Sequence, residues 1–441
     1  NGGATHVALF GEIYHNTDMP GSDRDYAATD DLSGRVSSTY ASLFNRTVSQ
    51  SPWLTGRVST PVTGLGASFT TFFMQPCSFT GSRAQTATPN VCVNGGSSTL
   101  PSSLRSDEGP LRTMVPRTTR GSVMATVDHD FAGGVSAFGD LLYYKASAWA
   151  GRGGSTTLTD APLVVSRNNP YNPFGSGPGR LASYTGPAQD VTIVGYDVLD
   201  VGMRNFDVDN TQIRAVAGLR GRIGDWRWDT SAVYSRAKTV DTEHNRVSNT
   251  ALQAALSSSD PATAYNPFNG GDPANLRVGD STLNSAAVLD RLRIDVTRDS
   301  RTSLAMWSAG LSNPSVLTIA GRDIGLASGV EARRETYDDY RDPRINGTIS
   351  YVTATGARTS DVMGNSQTLD THGKRNVYSA YAELQSAIIR PSDGVPLVQS
   401  FDVQLAARYE RYSDTKDEVL KPKVPVRRMV FHEITKDAIQ H

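Results

Sequence analysis

The sequence predicts an all-β fold: part of an antiparallel transmembrane β-barrel with short periplasmic turns and long extracellular loops. Three observations predict it. Stretches of about ten residues alternate apolar and polar side chains, tight turns join them in pairs, and long polar segments separate one pair from the next. No run of about 18 apolar residues occurs, so a membrane-crossing helix is excluded on length, whereas a tilted strand needs only about 9 to 11 residues.

The first element is Val7-Ala8-Leu9-Phe10-Gly11-Glu12-Ile13-Tyr14, an early strand, with Ser22-Asp23-Arg24-Asp25-Tyr26 in the external loop after it. A hairpin follows over 119–149, where Ala132-Gly133-Gly134 supplies the positive-φ residues of a short turn. The clearest hairpin starts at Gln212. Ile213, Ala215, Ala217, Leu219, Gly221 and Ile223 share one face, with Gln212, Arg214, Gly218, Arg220 and Arg222 on the other. Past Gly224-Asp225 the return strand sets Trp226, Trp228, Thr230, Ala232 and Tyr234 against Arg227, Asp229, Ser231 and Ser235. A third pair covers 304–317 and 324–336 and turns at Gly321-Arg322-Asp323. The fourth joins 375–388 to 401–412 through Pro391-Ser392-Asp393-Gly394. Nine or ten strands are readable in all.

The segments 151–209, 238–301 and 338–373 read as long structureless loops, apart from helical periodicity over 250–256. Loops of that length count against an ordinary soluble domain. Alternation alone leaves a soluble sandwich open, because a packed core and a lipid face give the same period. Tyr143, Tyr144, Trp149, Trp226, Trp228, Tyr409 and Tyr412 at strand ends suit interfacial girdles, or plain sheet packing.

Within the loops, Tyr171-Asn172-Pro173-Phe174 recurs as Tyr265-Asn266-Pro267-Phe268. Asn-Pro is turn chemistry, and the flanking aromatics pin a loop to its neighbour or, if exposed, contact a ligand; both roles stay open for Tyr171, Asn172, Phe174, Tyr265, Asn266 and Phe268. The two cysteines, Cys77 and Cys92, fit neither a CxxC redox pair nor a zinc set. A loop disulfide worth on the order of 3 kcal/mol suits them, with two free thiols as the alternative.

Chemistry is sparse. The seven histidines are scattered, no GxSxG, HExxH or Walker sequence occurs, and no catalytic, cofactor or metal site is expected. Gly175-Ser176-Gly177-Pro178-Gly179 reads as loop, with no helix start to make a phosphate cradle. The acidic group Glu335, Asp338, Asp339 and Asp342 lacks the regular spacing of a calcium loop and reads as solvated. A formal net charge of -1 without a Lys/Arg block gives no electrostatic reason to expect a nucleic-acid partner, and none is expected. Arg214, Arg220, Glu331, Arg333, Glu383 and Arg408 are expected to hydrate a lumen.

Several stretches together resemble TonB-dependent receptors of proteobacteria: Asn169-Pro170-Tyr171-Asn172-Pro173-Phe174-Gly175, Gly329-Val330-Glu331-Ala332-Arg333-Arg334-Glu335, Ala380-Tyr381-Ala382-Glu383-Leu384-Gln385, and Leu405-Ala406-Ala407-Arg408-Tyr409-Glu410-Arg411-Tyr412-Ser413-Asp414. Their order matches over roughly residues 7 to 416. The resemblance implies a barrel of about 22 strands around an N-terminal plug. It implies location in the outer membrane of a Gram-negative bacterium, no enzymatic activity, and active uptake of a scarce ligand such as a siderophore, cobalamin, haem or a saccharide. The implied partners are outer-membrane lipid, the small-molecule ligand, and TonB with its inner-membrane energising complex acting through a plug. Neither plug nor TonB box is visible in this stretch.

On this reading residues 1–416 are a partial receptor barrel and 417–441 an atypical, foreign tail, because 418–441 resemble a segment of bacterial type IA DNA topoisomerases. A chimeric join is expected near Lys416. An open sheet of nine or ten strands is expected not to insert alone, since unpaired edge groups in lipid cost several kcal/mol each. The competing expectation is a non-transporting surface or adhesin-like β-protein, with a passive porin third.

Overall fold

A computed structural model describes residues 4–47, 51–95, 104–157, 161–270, 284–396 and 398–429. The fold is all-β and antiparallel. Its wall comprises β1 (Thr5–Asn16), β2 (Arg117–Asp130), β3 (Val135–Gly151), β4 (Asn205–Ile223), β5 (Trp226–Val247), β6 (Arg293–Ile319), β7 (Arg322–Arg341), β8 (Thr371–Ile389), β9 (Ser400–Tyr412), β10 (Glu418–Lys423) and β11 (Val426–Met429). Each strand pairs with its predecessor in the order given, except that β10 and β11 both pair with β9. The start of the topoisomerase-like stretch is thus laid along the wall, and its residues 430–441 lie outside the described residues.

Tight turns close one end of the wall. Gly133 and Gly134 take φ of 89° and 78°, the region a two-residue hairpin turn requires. The third turn sits one residue earlier than the sequence suggests. Ala320 and Gly321 carry the positive φ values, 50° and 73°, while Arg322 and Asp323 already pair with Ile319 and Thr318.

Directly paired residues share a face, so the register traces each face across the sheet. One row runs Val7, Val127, Gly139, Ala217, Ala232, Trp307, Ala332 and Tyr378. Among the described residues nothing packs on this outward face: Leu9 is 73% exposed, Ile213 41% and Leu405 49%.

The upper limit of the apolar band is a staircase of polar residues. His15 pairs with Thr119, Lys145 with Thr211, Arg236 with Ser303 and Arg334 with Asn376, and Arg411 follows on β9. Each step lies two residues lower than the last for every two strands crossed. With about 3.3 Å per residue and 4.8 Å between strands, the line is inclined by about 35°. That is within the range of tilts at which the strands of transmembrane barrels run. Tyr143, Tyr234, Tyr378 and Tyr409 stand immediately beneath it.

Above the staircase the strands continue well into segments the sequence reads as loop. β4 begins at Asn205, β5 ends at Val247, β6 begins at Arg293 and β7 ends at Arg341. Both faces are polar there, Asp207 and Lys238 on the outward one and Asn210 and Asp241 on the inward one, so the ladder persists while the alternation that reveals it is lost.

The long insertions are not structureless. Those after β1, β3, β5 and β7 fold into one cap around a shared core. Its six-stranded sheet runs in the order Val164–Val165, Val191–Gly195, Thr55–Val62, Phe69–Pro76, Val91–Gly95, Ser82–Gln85. Helix α1 (Asn249–Ser257) packs against it and helix α2 (Ala286–Leu292) packs on α1, each N-capped by a serine, Ser248 and Ser285. Trp53 and Phe72 come from the first insertion, Phe174 and Tyr196 from the second, Leu252 and Phe268 from the third, and Tyr351 and Met363 from the fourth; all belong to one buried cluster.

Candidate functional site

The inward face of the wall carries a linked set of charges. On β7, Glu331, Arg333 and Glu335 fall at alternate positions and therefore on one face. Arg333 pairs with both glutamates at 3.0 Å, and Arg375 of β8 reaches Glu335 at 2.6 Å. Arg408 of β9 spans Glu331 at 3.6 Å and Glu410 at 2.9 Å, and donates to the Ser379 hydroxyl. Glu410 is nearly buried because it also accepts from the Tyr412 hydroxyl at 2.8 Å and the Lys421 ammonium at 2.9 Å. Arg220 of β4 similarly pairs with Asp128 of β2. Four cations and three anions alternate across β7 to β10. This face of the wall is polar and close to charge balance. Of the lumen charges expected from sequence, Glu331, Arg333 and Arg408 fall in the network, Glu383 bonds to Gln404 beside it, and Arg214 is not part of it.

The six loop residues flagged in the sequence lie in the cap. Phe174, Tyr265, Asn172, Asn266 and Phe268 are all buried, and Tyr171 packs partly buried against the same core. The two repeats make the same turn: the Asn172 side-chain oxygen accepts from the Phe174 amide and that of Asn266 from the Phe268 amide, each at 2.9 Å. Phe174 then meets Phe72 and Tyr184 edge to face at 5.0 and 5.2 Å. Buried on these terms, the motifs pin insertions together and present no ligand surface apart from part of Tyr171. Cys77 and Cys92 are joined by a disulfide between neighbouring segments of the cap sheet.

Sequence reasoning missed three polar clusters. The Tyr265 hydroxyl and Asn284 amide both donate to Asp200 at 2.9 Å. Burial raises the Asp200 pKa against those two bonds, and burial followed by the Asp200 charge pushes the Tyr265 phenol well up. Nearby, burial drives Asp197 well above the carboxylate range; Glu108, itself raised by burial, adds to this, and Arg204 opposes it. On the outward face above the apolar band, the His244 ring lies between Asp207 at 3.1 Å and Asp295 at 3.0 Å, tying β4, β5 and β6 together. None of these has a local spacing to reveal it, since each joins residues dozens of positions apart.

The acidic group at 335–342 does not converge. Glu335 and Asp339 are held by arginines, Asp338 faces the other way, and Asp342 caps a short helix by accepting from the Arg344 amide. Among the described residues, no three His, Cys, Asp or Glu side chains are gathered in a metal-binding arrangement.

No family model matches the chain. A 73-residue stretch, 16% of the chain, is 41% identical to DNA topoisomerase 1 of Streptomyces coelicolor and covers 8% of that protein. Among solved structures, the ferric-catecholate import receptor Fiu from Escherichia coli K12, in its closed form, aligns over 87% of this chain at 11% identity with a TM-score of 0.28. The alignment spans about half of that receptor, 48%. At that score the likeness adds nothing to the register argument.

Proposed function

We propose that the chain is a section of the wall and outer cap of a TonB-dependent receptor in the outer membrane of a Gram-negative bacterium, and that it serves uptake of a scarce ligand, not catalysis. The observation that carries the membrane reading is the polar staircase: an exposed apolar band ends along one line inclined at the angle of a tilted barrel strand. The inward charge network supplies the hydrated lumen such uptake needs, and the motif resemblance supports TonB and a small-molecule ligand as partners. A siderophore, cobalamin, haem or a saccharide are the ligand classes in view. Residues 418–441 are read as a stretch of separate, topoisomerase-like origin. They bring no topoisomerase chemistry, since they contain no tyrosine.

The test is spin-label accessibility on this chain within the whole receptor of which it is proposed to be a section, in outer-membrane lipid. Labels at Leu219 and Leu405 are expected to be relaxed by oxygen dissolved in the bilayer, and one at Ser231 by an aqueous nickel chelate. Aqueous accessibility at Leu219 and Leu405 would sink the membrane reading. The uptake reading is tested separately, by ligand accumulation in cells with and without TonB, where equal accumulation excludes it.

A further inference from the structure

We propose that the outward face of the wall, just above its apolar band, is a docking surface for the phosphate groups of membrane lipid. The row that ends the band carries Lys145 on β3, Arg236 on β5, Arg334 on β7 and Arg411 on β9. Between them, on β4, β6 and β8, stand the uncharged Thr211, Ser303 and Asn376. On β3, β5 and β9 the cation lies two residues above a tyrosine of the same face, Tyr143, Tyr234 and Tyr409.

The sign of the charge is the informative part. The chain has 43 Lys and Arg against 44 Asp and Glu, so a merely solvated face should carry both signs. Followed upward from the band on the outward face, β2, β6 and β8 meet their first charge at Arg117, Arg301 and Lys374, cations again. Among β2 to β9 only β4 meets an acid first, Asp209. Acids return higher on the same face, at Asp207, Asp299 and Asp338. The positive charge is therefore confined to one layer bordering the apolar surface, and the protein does not neutralise it. Lys145, Arg236 and Arg334 are exposed and have no ion-pair or hydrogen-bonding partner among the described residues. Arg411 reaches only Glu418, at 3.8 Å, with both side chains more than half exposed.

Successive cations of the row are about 12 Å apart, from two strand spacings and two residue rises. That is too far for one small anion to bridge, and it suits a succession of separate headgroups. Lys and Arg beside an apolar surface lay their methylene stems along it and hold the charge at its edge. Arginine's planar fork matches phosphate oxygens two at a time, and all of the row's cations but Lys145 are arginine. This inference rests on the membrane reading above.

The experiment places this chain, within the whole receptor of which it is proposed to be a section, in phosphatidylcholine vesicles doped with spin-labelled phosphatidic acid or spin-labelled phosphatidylcholine. Electron spin resonance gives the fraction of each lipid immobilised against the protein. Phosphatidic acid is expected to be preferred by about twofold or more. The combined variant Lys145→Gln, Arg236→Gln, Arg334→Gln and Arg411→Gln is expected to lose about half of that preference or more, with phosphatidylcholine immobilised as before. Arg214→Gln with Arg222→Gln, on the inward face, is expected to leave the preference unchanged. Absence of a preference in the native protein, or its full retention by the combined variant, overturns the inference alone. Absence of any immobilised lipid overturns the membrane reading and this inference with it. Loss of the preference on adding inorganic phosphate at the concentration of the labelled lipid assigns the row to a free anion and overturns the lipid assignment.

Discussion

The Tyr265 hydroxyl lies 2.9 Å from both carboxylate oxygens of Asp200. Its other neighbour is the Tyr196 hydroxyl at 2.8 Å, so with Tyr265 donating to Asp200, Tyr196 donates to Tyr265 in a relay through the cap core. Tyr265→Phe keeps the ring and removes the hydroxyl that links Tyr196 to Asp200, while Asp200 retains the Asn284 amide. The expected cost is about 1 to 3 kcal/mol of cap stability, read by hydrogen exchange on 191–196 and 249–257. Exchange rates equal to the native chain's would show that the relay contributes nothing.

Asp200 also sets a pH dependence. Its folded pKa is raised, so the folded cap holds the proton more tightly than the unfolded chain. The contribution to stability is then greatest below the unfolded value, near 3.9, and declines as pH rises through the folded value. Melting of the cap across pH 3.5 to 7 should show this fall, and Asp200→Asn should reduce it, with Asp197 and Glu108, also raised by burial, supplying the remainder. A slope unchanged by the substitution assigns the effect to another group.

The two faces of the wall predict opposite responses to one added charge. Leu219→Arg places a guanidinium near the middle of the outward band and is expected to cost about 2 to 4 kcal/mol of folding in lipid. Ser231→Arg, one strand over on the inward face, is expected to cost far less. Urea titrations in lipid vesicles compare them, and equal penalties would contradict the assignment of faces.

Reduction of the Cys77–Cys92 bridge removes a constraint on a loop of 15 residues. The expected loss is about 3 kcal/mol, concentrated in the cap sheet. Protease digestion with and without reductant should then cut first within the first insertion, leaving the wall strands intact. Identical digestion patterns would show that the cap core suffices without the bridge.

The wall was legible in the sequence wherever one face is apolar. The alternation of Ile213 to Ile223 against Arg214 to Arg222 gave the hairpin, its turn and its faces, and the register matches residue for residue. Legibility stopped where both faces become polar. From Lys238 to Val247 the backbone ladder continues, but no side-chain period marks it. The cap was illegible for a different reason. Its core is assembled from four insertions, so Trp53, Phe174, Leu252 and Tyr351 meet without any of their segments showing an amphipathic pattern of its own. The repeated Tyr-Asn-Pro-Phe was visible, yet only burial distinguishes a pin from a contact surface.

The strands that overshoot the staircase act as stilts. From Arg236 to Val247, at about 3.3 Å per residue and a tilt near 35°, they hold the cap roughly 30 Å beyond the end of the apolar band. If that band is seated in lipid as proposed, whatever approaches from solution, an antibody, a phage fibre or a protease, meets the cap first and the tyrosine row not at all. Variation in the cap's outer surface would then change what is displayed without touching the seat of the apolar band.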